Sequence, residues 1–142
     1  MQQHQSVRFP NKSVLIMEDD MILTLSLELM LKRVGIENTH RARTGEEALE
    51  LVKNHPVDLI IADIYLGEGI LGTKAVYIMQ QTLDIPAIYI TGNSDQQNRE
   101  DAAQTNYIDY LVKPITSDQL YRSLEKMWLN QATSSQSSTE AE

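Results

Sequence analysis

Cysteine is absent from all 142 residues. Disulfides, thiolate nucleophiles and thiolate metal sites are therefore excluded. The three histidines, His4, His40 and His55, are scattered without metal-ligand spacing and read as surface residues. Basic residues are few and dispersed, 12 Lys and Arg against 20 Asp and Glu, for a net charge of −8. Binding phosphate backbones needs clustered positive charge, so no direct nucleic-acid partner is expected. No apolar run is long enough to span a bilayer, and the first residues do not resemble a secretory signal. A cytoplasmic protein without membrane contact is the expectation. The chain also lacks a Gly-x-Gly-x-x-Gly turn after its first strand and a Walker-type loop, so nucleotide cofactors are not expected. What remains is 42% hydrophobic and 23% charged, the balance of an ordinary globular domain with a real core.

The most informative stretch is Ile60-Ile61-Ala62-Asp63. A short apolar run suits a strand buried on both faces of a sheet, and the acid emerges where the strand stops. Val14-Leu15-Ile16-Met17 followed by Glu18-Asp19-Asp20 repeats the pattern. Two further strand ends carry Thr91 and Lys113.

Taken in order, residues 1–12 read as a flexible leader. Ser13 to Met17 is the first strand. Asp20 is placed to cap a helix running to about Val34, with Gly35 as its stop. Leucines at alternate positions there suggest a strand, but Ile22, Leu25 and Leu29 give a helical stripe and the composition favours helix. Glu37 to Arg43 is a polar edge strand. Thr44 and Glu47 form a capping box opening a helix that buries Ala48, Leu49 and Val52 and stops before Pro56. Val57 to Ala62 is the third strand. A loop with Gly67, Gly69 and Gly72 leads to a helix from Thr73 through Val76 and Met79. Ile85 to Ile90 is the fourth strand. Asn93 to Thr105 is a polar helix with only Ala102 and Ala103 to bury, expected to be mobile. Tyr107 to Val112 is the fifth strand. Thr116 and Gln119 form a second capping box, before a helix burying Leu120, Leu124, Met127 and Trp128. Residues 131–142 read as a disordered tail or linker, leaving 13–130 as one domain.

Strand and helix alternate five times with short connections. This predicts an α/β fold, a doubly wound parallel sheet with right-handed crossovers. In such a sheet the ends of the first and third strands lie together at the switch point, which brings Glu18, Asp19 and Asp63 together. Packed carboxylates repel, and a hard cation such as Mg²⁺ relieves this. Carboxylates, a metal, Lys113 and the Thr91 hydroxyl suit a phosphoryl group, and an aspartate nucleophile gives an acyl phosphate.

These residues, in register at strand ends, resemble the receiver domain of two-component response regulators. The resemblance rests on Glu18-Asp19, Asp63, Thr91, Lys113-Pro114, and Tyr110 three residues before the lysine. It implies a single flavodoxin-like (βα)5 domain with strand order 2-1-3-4-5. It implies that Asp63 accepts a phosphoryl group from a phosphohistidine on a sensor kinase or histidine phosphotransfer protein. Asp19, Asp63 and the backbone carbonyl of Tyr65 would hold Mg²⁺, with Glu18 acting through water. Lys113 would pair with the phosphoryl oxygens, and its bond to Pro114 would be cis. Thr91 would move to the phosphoryl group and Tyr110 would turn inward. The output would be a shift of the fourth helix, fifth strand and fifth helix. Should the domain dimerise on activation, the fourth-helix to fifth-helix face is the surface it would use. The output partner is not named by these residues.

Departures from the family pattern are Leu71-Gly72, where an Asp-Gly pair is usual, and the bulky Tyr65, expected to hinder the attacking water and slow autodephosphorylation. Such a protein is a phospho-acceptor switch rather than an enzyme, beyond slow self-catalysed reactions. A pseudo-receiver acting only as a protein-binding module is the alternative. An aspartate-dependent phosphohydrolase is disfavoured, because Tyr65 stands where that chemistry wants a second aspartate.

Overall fold

The computed structural model describes residues 8–92 and 95–141, with side chains as far as residue 129. Five strands alternate with five helices. They are β1 (Ser13–Met17), α1 (Met21–Arg33), β2 (Asn38–Ala42), α2 (Gly45–Asn54), β3 (Leu59–Ala62), α3 (Gly72–Gln80), β4 (Ala87–Thr91), α4 (Gln96–Ala103), β5 (Tyr107–Val112) and α5 (Ser117–Ala141). The strands form one parallel sheet in the order β2-β1-β3-β4-β5, as expected.

The apolar runs explain the arrangement. Every residue of β1, β3 and β4 is buried. Alternate side chains serve two cores on opposite faces. Leu15, Met17, Ile60, Ala62 and Tyr89 face one, with α2 and α3. Val14, Ile16, Ile61, Ile88 and Ile90 face the other, with α1 and α5. β2 and β5 are edge strands and only partly buried.

Several expectations change. In α1 the buried stripe is Thr24, Leu27 and Leu31, while Ile22, Leu25 and Leu29 face solvent. Phe9, read as part of the leader, is buried at 4% exposure; its amide donates to the Val34 carbonyl and its ring lies 5.2 Å from that of Trp128. It belongs to the core that Leu31 and Val34 at the end of α1 share with Leu124 and Met127 of α5. Residues 1–7 lie outside the described residues, as do Asn93 and Ser94 at the expected start of the fourth helix. In α4 the buried residues are Asn98 and Ala102, with Ala103 exposed. Helix α5 continues to Ala141 rather than ending near residue 130. No glycine or proline follows Leu129, so no helix breaker ends it there.

Helix starts largely follow their capping residues. Asp20 accepts from the Ile22 amide at 3.0 Å. Thr116 and Gln119 bond reciprocally, at 3.1 and 2.9 Å. Thr44 accepts from the Glu47 amide at 3.1 Å, but the Glu47 carboxylate reaches the amide of Arg43 rather than that of Thr44. Gly35, at φ +91°, ends α1 in the left-handed region.

Candidate functional site

The C-terminal ends of β1 and β3 lie side by side, with Met17 opposite Ala62 in the register. The residues that follow, Glu18, Asp19 and Asp63, therefore leave the sheet together. Their carboxylate oxygens lie within 4.8 Å of one another. Glu18 and Asp63 are buried, at 5% and 6% exposure, while Asp19 is half-buried. Backbone amides fix the acids. Asp63 Oδ1 accepts from the Ile64 amide at 2.7 Å, and Glu18 Oε2 accepts from the Asp20 amide at 2.9 Å.

Lys113 reaches this cluster from the end of β5. Its Nζ donates to Asp63 Oδ2 at 2.9 Å and lies 3.2 Å from Glu18 Oε1. The sequence brought Lys113 to the acids as a charge for the phosphoryl oxygens; its direct pairing with Glu18 carried no signal there. Lys113-Pro114 is cis, as the resemblance implied. Thr91, at the end of β4 between the two halves of the site, is fully buried.

Three acids and one ammonium leave the cluster short of positive charge. Burial, then the neighbouring Asp63 charge, push the Glu18 carboxyl up to about 7, against the opposing Asp20 amide and Lys113. Lys113 is raised by its bonds to Asp63 and Glu18, which outweigh its own desolvation. A small divalent cation taking carboxylate oxygens would relieve the remaining repulsion, so this donor set fits Mg²⁺.

The loop after β3 wraps the site. Gly72 is needed there, because a Cβ at that position would sit 1.9 Å from the Asp63 carbonyl oxygen. Its amide also donates to the Ile64 carbonyl. Leu71 in place of the usual acid leaves the α3 start without a side-chain cap. Glu46 of α2 accepts from the Ile70 amide at 3.2 Å and helps hold the loop. Two residues beyond Asp63, the Tyr65 hydroxyl donates to Asn98 Oδ1 in α4, at 3.1 Å.

Tyr110 is half-buried on β5, 6.2 Å from the Tyr89 ring. The Arg99 guanidinium lies 4.4 Å from its centroid. Neither α4 contact carried a signal in the sequence, since Asn98 and Arg99 look like solvated polar residues there. His40 and His55, read as separate surface residues, stack at 4.7 Å between ring centroids. The parallel pairing of β2 and the return of α2 bring them together, which spacing along the chain cannot reveal.

Residues 14–125 match the family described as "Response regulator receiver domain". Among curated proteins, the chain is 30% identical over 105 residues to the transcriptional regulatory protein YvrH of Bacillus subtilis, covering 74% of this chain and 44% of that protein. It is 31% identical over 118 residues to the transcriptional regulatory protein ZraR of Escherichia coli, covering 82% of this chain and 26% of that one. The chain thus spans less than half the length of these relatives. Among solved structures, it is similar to the receiver domain of a Pseudomonas aeruginosa sensor histidine kinase, solved with a magnesium ion coordinated in its active site cleft. That match has a TM-score of 0.71 and 26% identity, and covers 81% of this chain and 95% of the other. A second, the N-terminal domain of a response regulator/sensory box/GGDEF protein from Carboxydothermus hydrogenoformans, has a TM-score of 0.75 and 28% identity over 86% of this chain and 98% of the other. The strand order, the acid cluster under Lys113 and the family match over most of its length agree: this chain belongs to the receiver domain family of two-component response regulators.

Proposed function

We propose that the chain is a phosphorylation-dependent switch, with Asp63 as the acceptor. The observation that carries this reading is the single ammonium of Lys113 shared between Asp63 and Glu18 beside the half-buried Asp19. A carboxylate oxygen of Asp63 attacks phosphorus of a phosphohistidine. The phosphorus–nitrogen bond breaks, the acyl phosphate forms, and the imidazole leaves as the neutral base after taking a proton. A sensor kinase or histidine phosphotransfer protein is the donor.

The side chains divide the work. The Ile64 amide holds Asp63 in one rotamer, which presents its carboxylate to the donor. Lys113 can follow the negative charge from the carboxylate to the phosphoryl oxygens without leaving the site. Asp19 and Asp63, with the Tyr65 carbonyl and Glu18 through water, would hold Mg²⁺. That ion, when bound, supplies positive charge to the phosphoryl oxygens. The Thr91 hydroxyl moves to the new phosphoryl group, and Tyr110 turns into the space released. The face made by α4, β5 and α5 then changes shape and carries the output to a partner or a further domain. A homodimer formed on phosphorylation would use that same face. We place the switch in the cytoplasm, beside its donors; no helix among the described residues is long and apolar enough to cross a membrane. The chain is not an enzyme with a separate substrate. Its own chemistry is limited to taking up the phosphoryl group and slowly losing it.

The test is intact-protein mass after incubation with a small phosphodonor, with and without Mg²⁺. One added phosphoryl group that needs Mg²⁺ and is absent in Asp63→Asn is the expected result. A folded wild-type protein that gains nothing would point instead to a pseudo-receiver that works only by binding proteins.

A further inference from the structure

We propose that Asn98 is a positioning residue for the phosphoryl site, acting through the hydroxyl of Tyr65. Its role presupposes the phosphoryl transfer proposed above. Tyr65 stands two residues beyond Asp63, on the loop that leaves β3. Asn98 belongs to α4, which follows β4. β3 and β4 are neighbours in the sheet, so the Tyr65–Asn98 bond crosses the gap between their ends. Asp63 and Thr91 stand at those two ends. The bond is therefore a strut over the side of the cleft where the phosphoryl group and the threonine meet.

Its two ends differ in stiffness. The Tyr65 ring is 46% exposed and, without a partner at its tip, could take several rotamers. Asn98 is 1% exposed, and its backbone amide donates to the Asp95 carboxylate at 2.8 Å in the helix cap. A buried asparagine is a poor choice for packing alone, since an apolar side chain would bury more cheaply. As a fixed acceptor it makes sense. It pins a mobile ring in one place beside the acyl phosphate, where the ring restricts the approach of water. The neighbouring Arg99 lies over Tyr110, so two consecutive α4 residues hold aromatic rings from β5 and from the Asp63 loop. Only Asn98 and Ala102 are buried on this helix. Its placement thus depends on these contacts, and the position of Tyr65 and that of α4 are tied together.

The experiment follows the lifetime of the acyl phosphate by intact-protein mass after removal of a small phosphodonor. Wild type is compared with Tyr65→Phe, Asn98→Ala, the double variant and Asn98→Asp. Tyr65→Phe keeps the ring and removes only the hydroxyl. The bond is weak enough that its loss should shorten the lifetime about two- to tenfold in either single variant. The double variant should be no shorter-lived than the shorter single, because one bond is lost in all three. Asn98→Asp keeps an acceptor and should restore most of the lifetime. A merely structural Asn98 would lower stability in Asn98→Ala, leave Tyr65→Phe at the wild-type lifetime, and so overturn the inference. Multiplying effects in the double variant would do the same. If Asn98→Ala does not fold, Tyr65→Phe and Asn98→Asp still decide. A wild type that gains no phosphoryl group overturns the underlying reading, and this one with it. A phosphorylated wild type with an unchanged Tyr65→Phe overturns this inference alone.

Discussion

Replacing Lys113 by methionine should destabilise the protein in a manner that depends on pH. Lys113 is 27% exposed, but Glu18 and Asp63 beneath it are only 3% and 7% exposed. Methionine keeps much of the stem and removes the charge. Two carboxylates then face each other with no cation. Breaking a buried pair costs about 3–5 kcal/mol. The partly open mouth of the site screens some of this, so about 2–3 kcal/mol is expected at pH 8. For a domain of this size that lowers Tm by roughly 6–10 °C. The sign at lower pH follows from Glu18. Its folded pKa, about 7, lies above its ordinary 4.5, so the folded state holds the proton longer. Stability from this group is full below about 4.5 and is lost as pH rises through about 7. Without Lys113 the upper limit moves higher still. At pH 5 Glu18 is protonated and its share of the repulsion is gone, so the variant should lose less than at pH 8, the remaining loss being that of the bond to Asp63. Lys113 itself is raised, so in wild type its contribution is present throughout this range and fades only above its ordinary 10.5. Thermal unfolding at pH 5 and pH 8 in metal-free buffer measures both. Mg²⁺ should recover more stability in the variant than in wild type, because the ion no longer competes with the ammonium. An equal loss at both pH values, or no loss at pH 8, would refute the electrostatic account of the site.

Further variants probe the scaffold. Gly72→Ala should cost about 3 kcal/mol and displace the Asp63 loop, since the new methyl has no room beside the Asp63 carbonyl; denaturant unfolding with the phosphoryl-gain assay checks both. Asp20→Ala should lose about 1 kcal/mol of stability, the worth of a helix cap, while still gaining a phosphoryl group with Mg²⁺. Arg99→Ala should lose about 0.5–1 kcal/mol and let the Tyr110 ring move, visible as averaged aromatic resonances by NMR. Tyr65→Asn, which removes the bulky ring, should shorten the acyl phosphate lifetime; a lifetime no shorter than wild type would count against a shielding role.

Most of the fold and the heart of the site were legible because their signals are local. A strand buried on both faces reads as an unbroken apolar run, and the residue that ends it can be named. Glu18, Asp63 and Thr91 were found this way, Lys113 as the residue closing the less buried fifth strand, and the switch-point rule placed the acids together. Thr116 and Gln119 cap each other within one turn, so their spacing suffices. The same spacing half-failed at Thr44, where Glu47 found the Arg43 amide instead. Helix α1 failed for another reason. Apolar residues cover so much of it that more than one stripe satisfies the helical period. Only packing against the sheet selects Thr24, Leu27 and Leu31. Phe9 was missed because one aromatic in a polar stretch has no period at all. Asn98, Arg99 and the His40–His55 stack are meetings between distant segments, and nothing in the flanking residues announces them.

The misread face of α1 has a consequence for how the protein behaves in bulk solution. Met21, Ile22, Leu25 and Leu29 are 44–80% exposed along one side of a single helix. A strip of that kind attracts its like by the hydrophobic effect. What keeps copies apart at low ionic strength is their shared charge of −8. That repulsion reaches only about 8 Å at physiological salt and about 3 Å at 1 M. Colloidal stability therefore depends on a long-range force that salt removes and a short-range one that salt, especially a sulfate or phosphate, strengthens. Dilute low-salt buffers should keep the protein dispersed, and concentrated kosmotropic ones should bring it together.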